Sequence, residues 1–339
     1  MAGMTYAGNG QASCMMRPVR PTPFHPAQDL ATLVHLRSEL KAEGLSDNQI
    51  ARLVHAGVLH RVRHGTYVDG GVWDGCSVED RHRLLARGVL ARAHPSTVLT
   101  HVSSVAERGM PIWGLDLGVV HTTRGQSERA GRRTGDWTPH RGVLADEDIE
   151  VIHDVPVSTA ARAAFEVMTI AAVEPALVVV NRLLHAGQLT GPALAEQVDR
   201  HQRWPGSLTA DLVLRLADPR LESVGEDRFI YLVYRQGLPR PEPQLEIFDE
   251  SGTLVARLDF AWPELGVFLE FDGREKYERH RLPGESLEDF LMREKKREEL
   301  VCLLTGWTCL RIGWADLARP VLLASRIRGV MAARSARGA

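Results

Sequence analysis

Three carboxylates lie close together in the segment ARLDFAWPELGVFLEFDGREKY. Alternation predicts a strand over Val255–Trp262, and an apolar run predicts a second strand, buried on both faces, over Gly266–Phe271. Asp259 falls inside the first strand, and Glu270 and Asp272 fall at the end of the second. Such carboxylates are costly to desolvate unless a cation joins them. A divalent metal ion is the usual cation in oxygen-rich sites, so the segment predicts a metal site.

A second set of polar residues lies in GLSDNQIARLVHAGVLHRVRHGTYV. Ser46 and Gln49 form a capping-box pattern that predicts a helix over Ser46–His55. Val58–Val62 and Thr66–Val68 then read as a strand pair joined by a basic turn. Helix, strand, basic turn and strand is the layout of a winged helix-turn-helix, in which Asn and Arg reach the major groove and Arg contacts phosphates. The DNA-binding candidates are Asn48, Arg52, Arg61, Arg63 and His64. The alternative is an ordinary helix and hairpin with solvated charges.

Regular elements surround the carboxylates on both sides. A capping box formed by Ser223 and Glu226 predicts a helix over Ser223–Arg235, which places Glu226 upstream of the acidic strands. Further elements are predicted over Gln244–Phe248 (strand), Ser286–Thr305 (helix), Trp307–Ile312 (strand) and Ala315–Ala333 (one or two helices). The C-terminal unit therefore has the order α-β-β-β-α-β-α.

Length and composition indicate a soluble, multidomain protein. The chain has 339 residues, 44% of them hydrophobic and 25% charged, and a net charge of −2, which predicts two or three domains and no global basic field. The four cysteines are scattered, so a reduced, cytoplasmic setting is expected. No apolar run is long enough for a membrane span, and the first residues lack the apolar core of a signal peptide. Residues 1–25 are predicted to be a disordered tail.

The C-terminal unit resembles the PD-(D/E)XK nuclease superfamily and, more narrowly, actinobacterial proteins related to very-short-patch repair endonucleases. The matching motifs, in chain order, are Glu226-Asp227-Arg228, Gly237-Leu238-Pro239, Arg257-Leu258-Asp259-Phe260, Glu270-Phe271-Asp272-Gly273-Arg274, Lys276-Tyr277, Arg293-Glu294-Lys295 and Gly306-Trp307. The resemblance implies a metal-dependent endonuclease that cleaves double-stranded DNA.

The resemblance also implies roles for individual residues. Asp259 and Glu270 would hold Mg²⁺ (or Mn²⁺), with Asp272 as a further candidate ligand. Glu226 would bind a second metal or orient the attacking water. A lysine, here Lys276, would position that water and neutralise charge. The catalytic candidates are therefore Glu226, Asp259, Glu270 and Lys276.

The lysine position departs from the superfamily pattern. The usual lysine follows the second acid by two residues, and Asp272 stands there. Lys276 would have to reach back from the following loop, or a cation on the next helix would supply the charge, the candidates being Arg293, Lys296 and Arg297. In the alternative without a metal, the acids pair with Arg257 and Arg274.

The N-terminal part resembles the winged-helix domain of AbiEi-type antitoxins, which are transcriptional regulators associated with type IV toxin–antitoxin systems. Gly44-Leu45-Ser46 and Arg63-His64-Gly65-Thr66-Tyr67-Val68 carry this resemblance. Motifs around His101, His121 and Arg162 resemble the middle region of AbiEi-like actinobacterial proteins. His101 and Arg162 are predicted to be structural, with buried polar contacts. The basic loop 124–133 is predicted to be a solvated surface loop.

These features predict a multidomain α/β fold: a tail (1–25), a winged helix-turn-helix (26–75), an AbiEi-like α/β middle region (76–217) and a restriction-endonuclease-like α/β domain (218–335). Two functions stay open. One is a DNA endonuclease acting in defence or repair. The other is an AbiEi-like regulator with a catalytically silent nuclease fold, whose partners would be double-stranded DNA and a cognate toxin encoded nearby.

Overall fold

The computed structural model describes residues 30–124, 133–272 and 284–338, and this part of the chain is a mixed α/β protein with three β-sheets. The chain divides into two compact units, Met1–Ser77 and Val78–Ala339. The predicted tail 1–25 lies outside the described residues. Within the described residues, none of the helices combines the length and the apolar character that crossing a membrane requires.

The first unit combines short helices with a three-stranded antiparallel sheet of order β1-β3-β2. Its elements are β1 (His35–Leu36), α1 (Arg37–Ala42), α2 (Asp47–His55), β2 (Leu59–Arg63), β3 (Thr66–Asp69) and α3 (Gly70–Gly75). Helix α2 begins at the predicted capping box, where Gln49 Oε1 accepts from Ser46 N at 2.8 Å. Its apolar stripe packs on the sheet through a small core of Leu40, Ile50, Leu59 and Tyr67.

The second unit opens with a five-stranded mixed sheet of order β6-β5-β4-β8-β7. Its elements are α4 (Val78–Leu90), β4 (Thr97–Leu99), α5 (His101–Glu107), β5 (Val120–Arg124), β6 (Trp137–His140), β7 (Ile149–Ile152) and β8 (Val155–Ser158). Four helices follow: α6 (Ala160–Ile170), α7 (Val173–His185), α8 (Gly191–Arg200) and α9 (Ser207–Leu216).

The last part of the second unit is a four-stranded sheet of order β12-β11-β10-β9. Its elements are α10 (Val224–Arg235), β9 (Glu242–Phe248), β10 (Leu254–Trp262), β11 (Val267–Asp272), α11 (Leu287–Thr305), β12 (Thr308–Gly313), α12 (Trp314–Leu317) and α13 (Pro320–Gly338). Strands β11 and β12 are parallel, and the other neighbours are antiparallel. These bounds confirm the predicted helix and strand order within one to a few residues.

The two faces of this sheet are covered by different helices. Phe260 and Leu269 belong to the same apolar cluster as Phe229 of α10 and Ile327 of α13. Residues that alternate with them, such as Phe268, pack instead with Val301 of α11. Glu270 contacts Arg297 of α11, and the charge of Asp259 acts on the same guanidinium, so both carboxylates lie on the α11 face.

One hydrophobic cluster runs through both parts of the second unit. It contains Phe165 of α6 and Leu177 of α7 together with Phe229 and Phe260. The predicted division at 217/218 stays a prediction, and an apolar core extends across it.

Candidate functional site

Glu226 is held at the start of α10 by several hydrogen bonds. Its side chain is buried, Oε1 accepts from Ser223 Oγ at 2.6 Å and Oε2 accepts from Gln244 Nε2 at 2.9 Å. Gln244 lies on β9 with a φ of 56°, between residues paired with Phe260 and Leu258 of β10. Its amide therefore links Glu226 to the strand position beside Asp259.

A glycine allows this close approach of α10 to the sheet. A Cβ at Gly225 would lie 2.2 Å from a ring carbon of Phe271. Helix α10 therefore packs its first turn directly on the residue next to Glu270.

Asp259 and Glu270 lie side by side on neighbouring antiparallel strands. Phe260 of β10 pairs with Leu269 of β11. Asp259 directly precedes Phe260, and Glu270 directly follows Leu269. The carboxylates are 6% and 3% exposed, and Asp259 Oδ2 accepts from Phe271 N at 2.7 Å. Two acidic side chains are thus buried together on the face that α11 covers, as the predicted metal site requires.

A cation from α11 reaches this pair. Arg297 Nη2 lies 3.5 Å from Glu270 Oε2 and 2.9 Å from Glu294 Oε2. Burial lowers the pKa of Arg297, but the charges of Glu270, Glu294 and Asp259 outweigh burial and raise it. The guanidinium therefore stays charged and offsets the buried acids, which was one of the alternatives for the displaced lysine.

Asp272 is separated from the pair by its own arginine. Arg311 Nη1 donates to Asp272 Oδ1 at 2.8 Å, and Arg311 Nε donates to Glu298 at 2.6 Å. Burial lowers the pKa of Arg311, but hydrogen bonds and charge from Glu298 and Asp272 raise it overall. Asp259, Glu270 and Asp272 do not form a trio with ligand oxygens all within 4.8 Å of one another.

Four other cations from the sequence alternatives either pair with other acids or lie outside the described residues. Arg257 pairs with Glu222 at 2.5 Å, and Arg293 pairs with Glu285 at 2.9 Å. Lys276 and Arg274 fall in 273–283, outside the described residues, so the role assigned to Lys276 stays a prediction.

The DNA-binding candidates of the first unit lie on α2 and on the β2–β3 hairpin. Asn48 and Arg52 are exposed on α2. The neighbouring Asp47 is held by Arg37, whose Nε and Nη2 donate to its carboxylate at 2.8 and 2.6 Å. That pair neutralises the acid at the start of the helix, whose exposed face also carries Asn48, Arg52 and His55.

The hairpin turn carries the basic residues. Arg61 and His64 are exposed, and Arg63 is half-buried. Arg61 Nη2 lies 3.0 Å from His64 Nδ1. Because a guanidinium can only donate, His64 Nδ1 is the acceptor and Nε2 carries the proton. The side chains of Arg61, Arg63 and His64 all carry N–H donors, which suits an anionic partner.

The second unit contains a histidine trio that local sequence patterns do not predict. His101 at the start of α5, His121 on β5 and His140 at the end of β6 offer ligand nitrogens within 4.8 Å of one another, the one such group among the described residues. His121 Nδ1 lies 2.8 Å from His140 Nε2. The rings of His101 and His140 stack at 3.8 Å. Their spacing along the chain matches no metal motif. In the structure, His101 has an unusual positive φ of 53°.

The trio is uncharged at neutral pH. Burial, then the positive potential of His140, lowers the pKa of His121 to about 4, and burial followed by Arg133 lowers the pKa of His140 to about 4. Burial is also the main cause that holds the pKa of His101 well below its usual range, followed by His140, His121 and Arg162.

Residues 36–68 match a family described as "Transcriptional regulator, AbiEi antitoxin". Two proteins named only as uncharacterized, from Mycobacterium tuberculosis strains CDC 1551 / Oshkosh and ATCC 25618 / H37Rv, are each 38% identical to this chain over 136 residues. The matched stretch is 40% of this chain and 45% of each relative, so the chain spans less than half the length of the curated relatives it matches. The segment that contains α1, α2 and β2 is thus similar to a transcriptional regulator of the antitoxin kind.

Proposed function

We propose that this protein is a DNA-binding transcriptional regulator of the AbiEi antitoxin type, and that its first unit is a winged helix-turn-helix. The observation that carries the proposal is the family match over 36–68, which covers α2 and most of the β2–β3 hairpin. A cognate toxin encoded nearby is the second partner that the antitoxin description implies.

Helix α2 is the element that enters the major groove in this proposal. Asn pairs with adenine and Arg with guanine through two hydrogen bonds each, and Asn48 and Arg52 are exposed on this helix. The hairpin lies along the DNA backbone, where Arg61, Arg63 and the Nε2–H of His64 donate to phosphates. Helix contacts select the sequence, and hairpin contacts set affinity.

Replacing Arg52 with Ala is expected to weaken binding to a selected duplex by about 1–3 kcal/mol, because it removes a base contact. Replacing Arg61 or Arg63 with Ala is expected to weaken binding to all duplexes and to lower the salt slope by about 1. The measurement is fluorescence anisotropy on a duplex selected from a random library, beside a random-sequence duplex, at several salt concentrations.

The matched control is Arg203→Ala, which also removes one exposed positive charge but lies in the second unit. It should bind like the wild type. Equal losses in Arg203→Ala and Arg52→Ala would assign binding to overall charge and contradict the winged-helix proposal.

A metal-dependent DNA endonuclease is the second candidate, favoured by the burial of Asp259 and Glu270 on adjacent strands. Two neighbouring carboxylates fit Mg²⁺ or Mn²⁺, which prefer oxygen ligands. Asp272 does not fit this set, because its carboxylate is bound by Arg311.

In this candidate, Asp259 and Glu270 would hold the ion. The ion would supply Lewis-acid stabilisation of the phosphodiester and a water of lowered pKa. Arg297 would offset negative charge beside Glu270, and Glu226 would act through Gln244 to fix the β9 backbone next to Asp259. Lys276 would supply the second positive charge.

Nicking of supercoiled plasmid with Mg²⁺ or Mn²⁺ tests this candidate. Asp259→Asn and Glu270→Gln should each lose at least about 100-fold in rate, since each removes the negative charge of a ligand of the stabilising cation. Glu264→Gln, an exposed acid in the turn between β10 and β11, should nick like the wild type. Equal nicking by all three folded variants would reject this site, and a wild type that nicks with neither ion would leave the regulator proposal alone.

A further inference from the structure

We propose that His101, His121 and His140 form a binding site for a transition-metal ion of the Zn²⁺ class. The trio is separate from the acidic pair and from the first unit, and the proposal is independent of the proposed DNA binding. Its basis is the convergence of three imidazoles from three elements on one point.

The sheet order creates this convergence. Strands β5 and β6 are parallel neighbours, and Thr123 of β5 pairs with His140 of β6. His121 precedes Thr123 by two residues, so it projects from the same face of the sheet as Thr123 and His140. Thr100 N donates to His121 O at 3.0 Å, which fixes the start of α5, and hence His101, beside β5.

The contacts of the three rings indicate which nitrogens would bind an ion. His101 Nδ1 contacts Thr100 Oγ1 at 3.0 Å and lies 3.7 Å from Glu166 Oε2, which leaves Nε2 for an ion. His121 Nδ1 and His140 Nε2 already face each other at 2.8 Å. Metal-binding histidines commonly direct the other ring nitrogen to a carboxylate or hydroxyl, as His101 does here.

Glu166 also fixes the backbone of His101. Its Oε2 accepts from His101 N at 3.0 Å, and its Oε1 accepts from Arg162 Nε at 2.9 Å. The positive φ of His101 is unusual for a residue other than glycine. Such strain persists where the surroundings hold it, and functional sites are where it collects.

The dimensions suit a small ion after modest rotation of the rings. Zn–N bonds of about 2.0–2.1 Å in a tetrahedral site put the nitrogens about 3.4 Å apart. His121 and His140 must therefore separate slightly, and the stacked rings of His101 and His140 must turn toward a common point.

An ion and a fourth ligand would reach the trio from the side of His121 and His140. His101 is buried, whereas His121 and His140 are half-buried. Among the described residues the group has three ligands, and we expect a water to take the fourth position. Three protein nitrogens with one exchangeable position is an arrangement typical of zinc sites that bind a further ligand.

Calorimetric titration of the chelator-treated full chain with Zn²⁺, and Co²⁺ absorption spectroscopy, test the site. The wild type should bind one ion per chain at the trio and give the Co²⁺ spectrum of a tetrahedral site. His121→Gln and His140→Gln should each weaken binding by at least about 100-fold, because losing a ligand exceeds the 10–100-fold effect of losing a residue behind one.

The control is His94→Gln, an exposed histidine of the same unit, which should bind like the wild type. His101→Asn gives a second ligand variant whose side chain tolerates the positive φ. Circular dichroism verifies that each variant is folded. A folded wild type that does not bind Zn²⁺, or equal affinity in the wild type and the folded ligand variants, would overturn the proposal.

Discussion

Replacing Arg182 with Met should destabilise the second unit by about 3–5 kcal/mol at pH 8.5, because it leaves a buried carboxylate without its cation. Arg182 Nε donates to Asp227 Oδ2 at 2.9 Å, and its Nη2 also donates to Leu221 O. Asn181 Nδ2 donates to the same carboxylate at 2.9 Å. These bonds tie α7 to α10, the helix that carries Glu226.

The loss should depend on pH in a defined direction. Burial raises the pKa of Asp227 from 3.8 to about 7, although Arg182 and Asn181 lower it. A raised folded-state pKa means that stability is lost as pH rises through about 7. Without Arg182 that pKa rises further, so the variant differs most from the wild type above pH 7 and less at pH 6.

Urea unfolding at pH 6 and pH 8.5 measures this effect. Arg235→Met, on the exposed side of α10, is the control and should change stability by less than about 0.5 kcal/mol. A loss for Arg182→Met that is no greater than the loss for Arg235→Met would contradict a stabilising role for the buried pair.

Local signals were sufficient to predict most elements. The helices at Ser46, Ser223 and Ser286 begin where a cap and an acid or amide three residues later predict them. The strands that carry Asp259 and Glu270 follow from alternation and from an apolar run. Such patterns depend on neighbours within one or two turns, so one sequence suffices to read them.

Contacts between distant elements were harder to predict. Arg297 was one of several cations on a helix, and only the packing of α11 on the sheet brings it to Glu270. Asp272 is a candidate ligand in the sequence, and the parallel pairing of β11 with β12 brings Arg311 beside it. Side-chain partners across a sheet depend on strand order and register, which local patterns do not contain.

The histidine trio shows the same limit most clearly. His101, predicted to be structural, does contact buried polar groups, but it also converges with His121 and His140. These residues are about 20 positions apart in the chain, and a metal motif is normally recognised by short spacings. The β6-β5-β4 order and the turn into α5 bring them together, and neither is visible in the residues themselves.

Replacing Glu107 with Gln should also cost about 3–5 kcal/mol at pH 7, because Glu107 is the counter-charge for buried arginines. Arg87 donates to both of its oxygens, to Oε1 at 2.7 Å. Arg83 Nη2 lies 3.6 Å from Glu107 Oε1, and His153 Nδ1 lies 2.9 Å from the same oxygen. The neutral variant leaves two buried guanidinium groups without this carboxylate.

The pH dependence has the opposite sign to that of Asp227. Burial alone would raise the pKa of Glu107, but hydrogen bonds and charge from Arg87, joined by His153 and Arg83, lower it below 4.5. A lowered folded-state pKa gives stability that is present above pH 4.5 and is lost as pH falls through the folded-state value. The wild type should therefore approach Glu107→Gln in stability below pH 4.5.

Thermal and urea unfolding between pH 3.5 and pH 8 measure both the size and the direction of this effect. The matched control is Glu196→Gln, whose carboxylate is 69% exposed and pairs with the 37% exposed Arg200 at 2.9 Å. An ion pair at that exposure contributes about 0–1 kcal/mol, so this variant should stay close to the wild type throughout. If Glu107→Gln lost no more stability than Glu196→Gln at pH 7, or if its deficit grew on acidification, the buried ion pair would not be what joins α4 to α5.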